Sequence, residues 1–144
     1  MSSNDRLNNP GFLIADIHRL VRRLYVERAD QSSLTLAQAK ALLFISKHEG
    51  VKQKELADVL DIQPMTLVKV LDHLASERLI VRQPDPNDRR AHLIHLCEDA
   101  GPHLAQVEQT TQQLLTDMLQ DLEKQEVEQL INMLIRIRNR LLSL

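Results

Sequence analysis

This sequence predicts a mainly α-helical protein with one small β-hairpin, and three observations carry that prediction. Apolar residues recur at helical spacing almost throughout, but residues 79–97, LIVRQPDPNDRRAHLIHLC, hold two short runs of strand character around a tip with two prolines. The 144 residues include 3 Gly, 0 Trp, 2 Phe and 1 Tyr, a composition that suits an aliphatic helical core better than a β-sandwich. Directly before the hairpin, residues 53–76 read as a short helix, a tight turn and a longer helix, the pattern of a helix-turn-helix.

Taken in order, Pro10 opens a first helix whose Leu13, Ile17, Leu20, Val21 and Leu24 share a face, while Arg19, Arg22 and Arg23 line another. The polar loop DQSSLT at 30–35 ends in Thr35, the expected N-cap of a second helix at about 36–48. Gly50 follows it, suited to the left-handed backbone after a helix end. The helix-turn-helix places a helix at 53–60, a turn at 61–63 and a helix at 64–76, with Pro64 in the first turn, where a missing N–H costs nothing. Leu56, Ala57 and Leu60 give the first of these its inner face. Leu67, Val70, Leu71 and Leu74 give the second, Ile62 plugs the turn, and Ala57 is small where the helices would cross. A long helix is expected to begin at Pro102, with Leu104, Val107, Leu114, Met118 and Leu122 on one side and a break near Glu123 and Lys124. The last helix carries Val127, Leu130, Ile131, Leu134, Ile137 and Leu141.

The apolar stripes at the two chain ends have no partner within a compact lobe at 34–97. Residues 1–33 and 98–144 are therefore expected to form a helical dimerisation region, buried against each other and against a second copy. At about 25 cal/mol per Å², leaving such stripes wet would be expensive.

Composition also excludes several function classes. No stretch approaches the roughly 18 apolar residues of a membrane span, and the first residues, MSSNDRLNNPGF, lack the basic and apolar regions of a signal peptide. One Cys cannot form an internal disulfide, which fits a reducing cytoplasm. No nucleophile-base arrangement or phosphate-cradling glycine loop is visible, so no enzyme is expected. The net charge of -2 argues superficially against a polyanion partner, but it is unevenly spread. Residues 63–96 carry five Lys/Arg against four acids, whereas 97–135 carry one Lys against eight acids. Binding follows the local field rather than the sum. The cluster His92, His95, Cys97 has the look of metal ligands, yet alternation along a strand sends His92 and His95 to opposite faces, so neither a metal site nor a cofactor is expected.

The segments LTLAQAKALLFI, QKELADVLDIQPMTLVKVLDHLASERLIVRQ and DPNDRRAHLIHLCEDAG resemble the MarR/SlyA family of winged helix-turn-helix transcriptional regulators, and the resemblance covers nearly the whole length. The Asp-Arg-Arg wing directly after a helix-turn-helix is its most specific part. The resemblance implies a homodimer with interlocked terminal helices, two winged lobes on a pseudo-palindromic operator, a recognition helix at about 64–76 and a wing at about 80–96. Three positions depart from the family pattern. Arg78 stands where a helix-ending glycine is usual, so either a non-glycine residue holds positive φ at roughly 1 kcal/mol or the helix ends differently. Cys97 replaces a capping Thr, and Asp61 occupies a turn position that often holds Gly. Redox-sensing branches of the family place their reactive Cys near the N-terminus, where this chain has none; a small buried or capping role suits Cys97 better.

The expected DNA-binding residues follow from groove geometry. An α-helix fits the major groove, where base edges present distinguishable patterns. With the leucines of the recognition helix inward, Gln63, Pro64, Met65, Thr66, Lys69 and His73 occupy its leading and outward positions. Thr66 and Lys69, spaced i and i+3, share one face. Lys69 can donate to guanine or phosphate, Thr66 and Gln63 to phosphate or base, and Met65 can touch a thymine methyl. Arg89 and Arg90 sit where a wing would enter an A·T-rich minor groove, whose negative potential favours an inserted arginine; only one need enter, the other bracing the wing with Asp88, and the sequence leaves open which. An ordinary solvated helix face would carry similar residues; the motif around them gives them weight.

The expectation is a cytoplasmic, homodimeric, sequence-specific regulator of transcription, acting as a repressor on a double-stranded operator. The resemblance also implies release by a small anionic aromatic effector, although 2% aromatic content leaves no visible stacking pocket. The alternative is a winged-helix module that binds another protein and no DNA; a salt-sensitive shift with a specific duplex separates the two.

Overall fold

A computed structural model describes residues 7–29 and 34–144, so residues 30–33 of the expected loop lie outside the described residues. The fold is mainly helical, with helices α1 (Pro10–Arg28), α2 (Leu36–Lys47), α3 (Gln53–Leu60), α4 (Pro64–Ser76), α5 (Ala100–Met118) and α6 (Lys124–Leu142). Strands β1 (Val51–Lys52), β2 (Ile80–Asp85) and β3 (Asp88–Leu96) make one antiparallel sheet in the order β1-β3-β2. The described residues fall into two compact units that divide between Thr111 and Gln112. No helix among them is long and apolar enough to cross a membrane.

Local chemistry sets the helix ends. Asn9 caps α1 by accepting from the N–H groups of Gly11 and Phe12. Thr35 caps α2 as the sequence predicts, and Gln38 reciprocates: Thr35 Oγ1 accepts from the Gln38 N–H while Gln38 Oε1 accepts from the Thr35 N–H, a capping box. Gly50 takes φ 79, and its N–H donates to the Ile94 carbonyl. Helix α5 begins at Ala100, two residues before the expected Pro102. A proline at the third position is tolerated because first-turn N–H groups have no intrahelical acceptor. The turn into α5 is closed by backbone, the Ala100 N–H donating to the Cys97 carbonyl.

Among the described residues, the two non-glycine residues at positive φ are ones the sequence marks. Asp61, at φ 50, ends α3 and lets the Ile62 N–H reach the Ala57 carbonyl. Arg78, at φ 59, ends α4 in the same way, with the Leu79 N–H donating to the Leu74 carbonyl. This closure turns Leu79 and Ile80 straight into the core, where both are buried. Arg78 therefore holds the strained alternative of the two the sequence left open. Replacing it with glycine should raise the unfolding free energy by up to about 1 kcal/mol, seen as a higher denaturant midpoint with unchanged slope.

The core of the lobe lies where α2, α3 and α4 meet the sheet. Leu42, Ile45, Leu56, Leu67, Leu71, Leu74, Leu79 and Ile94 are fully enclosed. Each such side chain contributes roughly 1.5–3 kcal/mol of burial. Ala57, expected to be the small residue at the crossing with α4, is buried on α3. Strand β1 escapes sequence reading because two residues carry no alternation. It forms because Val51 pairs with Ile94 and Lys52 with Leu93. Glu49 then fastens the far end of β3, accepting from the Leu96 N–H and meeting His95 Nδ1 at 3.0 Å. On α1, Tyr25 is buried, and that burial pushes its hydroxyl above the ordinary phenol pKa.

Candidate nucleic-acid interface

Helix α4 separates its faces as the heptad-like spacing of its leucines demands. Leu67, Val70, Leu71 and Leu74 are buried, while Gln63, Pro64, Met65, Thr66, Lys69 and His73 are all exposed. Met65 stands out at 71% exposure, an apolar side chain held in water at the leading end of the helix. Lys69 forms no ion pair among the described residues, so its ammonium is free to meet an anion.

The wing is a hairpin of β2 and β3 whose register runs from Ile80 opposite Leu96 to Asp85 opposite Asp88, with an irregularity between Pro84 and Asp85. Arg89 and Arg90 follow the tip, exposed, and neither guanidinium has a partner among the described residues. Asp88 braces the tip through backbone rather than through a guanidinium, its Oδ1 accepting from the Arg90 N–H at 3.0 Å. Both arginine side chains are left available.

A second brace ties wing to helix. Arg82 of β2 meets Asp72 of α4 at 2.8 Å, and the same nitrogen lies 3.4 Å from the Val68 carbonyl. Arg82 is mostly covered and Asp72 mostly open, so this pair is stronger than a mobile surface contact but weaker than a buried one. It joins the hairpin to the helix.

Between them lies a cleft of about 570 Å³, lined by Pro64 and Met65 from α4, by Arg90 and His92 from β3, and by Lys52 and Lys54. The two lysines are what sequence reasoning missed. Lys52 is the N-cap position of α3, whose first turn has no side-chain cap, and Lys54 sits within that turn. A helix N-terminus with uncapped N–H groups and two flanking lysines is an anion-seeking arrangement. The basic pair in VKQKE at a predicted helix start was the available signal. Asp58 and Asp88 also line the cleft, so its field is mixed and its cations are placed rather than merely abundant.

A separate cleft of about 420 Å³ joins α1, α2 and the start of α4. His18, Arg22 and Lys40 line it together with Asp61 and Thr66. Arg22 is the arginine of its cluster with no ion pair among the described residues; Arg19 pairs with Asp16 and Arg23 with Glu27.

A family model described as the MarR family matches residues 34–92. The chain is similar to a transcriptional repressor, CouR, solved bound to a 23-mer DNA duplex, at 26% identity and TM-score 0.81 over 96% of this chain and 98% of that one. It is similar to a mutant of MarR from E. coli complexed with operator DNA, at 28% identity and TM-score 0.80 over 95% of this chain and 99% of that one. BpsR from Bordetella bronchiseptica, described for regulation of its DNA binding by 6-hydroxynicotinic acid, shares the fold at 20% identity and TM-score 0.79, over 89% of this chain and 97% of that one.

Proposed function

We propose that the chain, whose residues 34–92 match the MarR family model, is a winged-helix member of that family and a sequence-specific DNA-binding regulator that represses transcription as a homodimer. The observation that carries the reading is the shared cleft, which brings the leading end of α4 and Arg90 of the wing to one surface. With α4 in a major groove and the wing in the adjacent minor groove, the sugar-phosphate strand dividing those grooves must pass between the two. Lys52, Lys54 and the first turn of α3 line that passage. Lys69 and Thr66 then read base edges or phosphate, Gln63 and His73 flank them, and Met65 meets a thymine methyl. Two copies on a pseudo-palindromic site would place half-sites about one helical turn, roughly 34–36 Å, apart.

The terminal helices are the proposed dimerisation region. Leu13 and Ile17 on α1, and Ile131, Leu134, Ile137 and Leu141 on α6, are each at least 42% exposed in the single chain, and each set is an apolar face that a second copy would cover. The cleft at His18, Arg22 and Lys40 supports release by a small anion. An anion held there touches both α1 and Thr66 of α4, so it can favour one placement of the reading helix over another.

Selection of bound genomic fragments, followed by titration at fixed salt, tests the reading. Lys69→Ala should weaken binding to the selected operator by about 1–3 kcal/mol. Unchanged affinity would remove Lys69 from the interface, and failure of the native protein to bind any fragment at low salt would remove the function.

A further inference from the structure

Asp85 is the one buried charged side chain of the lobe core among the described residues, at 6% exposure, and it stands at the root of the wing tip. Burying a carboxylate is unfavourable unless its oxygens are engaged. Both are. Oδ1 accepts from the Asn87 N–H at 2.9 Å, and Oδ2 lies 3.7 Å from Lys52 Nζ. We propose that Asp85 is a positioning residue that fixes the wing tip for Arg89 and Arg90, with Lys52 as its counter-ion. The inference rests on the DNA-binding reading.

The argument is one of donors and acceptors. The tip reads Asp85-Pro86-Asn87-Asp88, and Pro86 has no N–H to offer a turn. The strand register breaks at Pro84 and Asp85, so the ladder does not by itself hold the tip. The tip is held instead by two carboxylates on backbone donors: Asp85 on the Asn87 N–H, Asp88 on the Arg90 N–H. Lys52 gives this local turn a tie to the body. Its backbone is paired to β3 at Leu93, and its ammonium reaches across β3 toward the carboxylate on β2. The arginines thus project from a tip whose shape is settled before DNA arrives, which reduces the ordering that binding would otherwise require.

Asp85→Ala removes acceptor and charge, Asp85→Asn keeps an acceptor but loses the ion pair, and Lys52→Met, which also loses a cation of the strand passage, reports the ion pair through exchange on the DNA-free protein and not through binding. Amide exchange is measured on the DNA-free protein, and binding on the selected operator. Asp85→Ala should speed exchange at Asn87 by about tenfold, the factor expected for a net hydrogen bond of this kind. It should weaken binding severalfold on the operator, with the loss concentrated in the flanks under the wing. Asp85→Asn should restore most of the protection, and Lys52→Met should lie between. Wild-type exchange at Asn87 in Asp85→Ala would overturn the proposal, as would an Asp85→Asn variant as exposed and as weak as Asp85→Ala. Should Asp85→Ala fail to fold, Lys52→Met decides: unaltered Asn87 exchange in it overturns the tie to the body. If the native protein bound no DNA while these exchange effects appeared, the DNA-binding reading would fall and the tip geometry would stand.

Discussion

Glutamate at both Ile137 and Leu141 is expected to leave a folded monomer whose operator affinity drops about a thousandfold, toward the roughly 10⁻⁴–10⁻⁶ M typical of non-specific binding. The size of the effect comes from symmetry. In a two-fold dimer every substitution occurs twice, so two replaced residues bring four carboxylates into one apolar contact. Each would have to be desolvated without a partner, at several kcal/mol, or the contact must open. Ile137 and Leu141 are 45% and 64% exposed in the single chain, so the variant should lose little within the protomer while the proposed interface is lost. Sedimentation gives the oligomeric state. Duplexes with one half-site and with two separate the contribution of a lobe from that of the pair: the monomer should bind both alike, and the native protein should prefer the second by orders of magnitude. A variant that remained dimeric and bound normally would place the partner contact elsewhere than α6.

How much of this was legible in the sequence depends on the range of the interaction. Helix α4 was legible because its leucines and its Pro64 start are local signals, whereas the way it ends, with Arg78 at φ 59, was left open. The hairpin was legible for the same reason, two strand-like runs around a turn-forming tip. Strand β1 was not, since Val51 and Lys52 are a strand only by virtue of Ile94 and Leu93, some forty residues on. The expected outward residues of α4 are exposed because facing is fixed by a 3.6-residue period. By contrast, Lys52 and Lys54 line the cleft through tertiary placement: VKQKE marks a basic helix start but not the cleft it faces. Asp85 shows the limit most clearly. As one acid of DPND it reads as solvated turn chemistry, yet the register break and Lys52 from another strand bury it. Asp88, three residues away and of the same type, stays exposed. Tyr25 was overlooked because it stands one position past Leu24, the last residue of the aliphatic stripe read on α1, although Tyr25 and not that stripe is buried.

The second large effect is expected at the wing. Arg89→Ala with Arg90→Ala should weaken binding by roughly 2–3 kcal/mol, or about 30- to 150-fold, on an operator with A·T-rich flanks. Much less should be lost when those flanks are G·C-rich. The difference arises because a narrow A·T minor groove concentrates negative potential where an inserted guanidinium sits, whereas a wider groove offers phosphate contact alone. Both side chains are exposed and neither guanidinium has a partner among the described residues, so removing them breaks no hydrogen bond or ion pair there, and the folded state should keep its stability. Salt dependence then separates the two arginines. Each cation that displaces condensed counterions steepens the plot of log affinity against log salt by about 0.9, and the single variants report that slope one residue at a time. Arg90 lines the cleft with Met65 and Lys54, while Arg89, its neighbour on the strand, alternates to the other face. Arg90→Ala should therefore reduce the slope on every flank sequence, as loss of a strand-tracking phosphate contact does, and Arg89→Ala should carry the flank preference. Equal losses from both single variants on all flanks would mean that neither guanidinium enters the minor groove, and the wing would be a phosphate clamp alone.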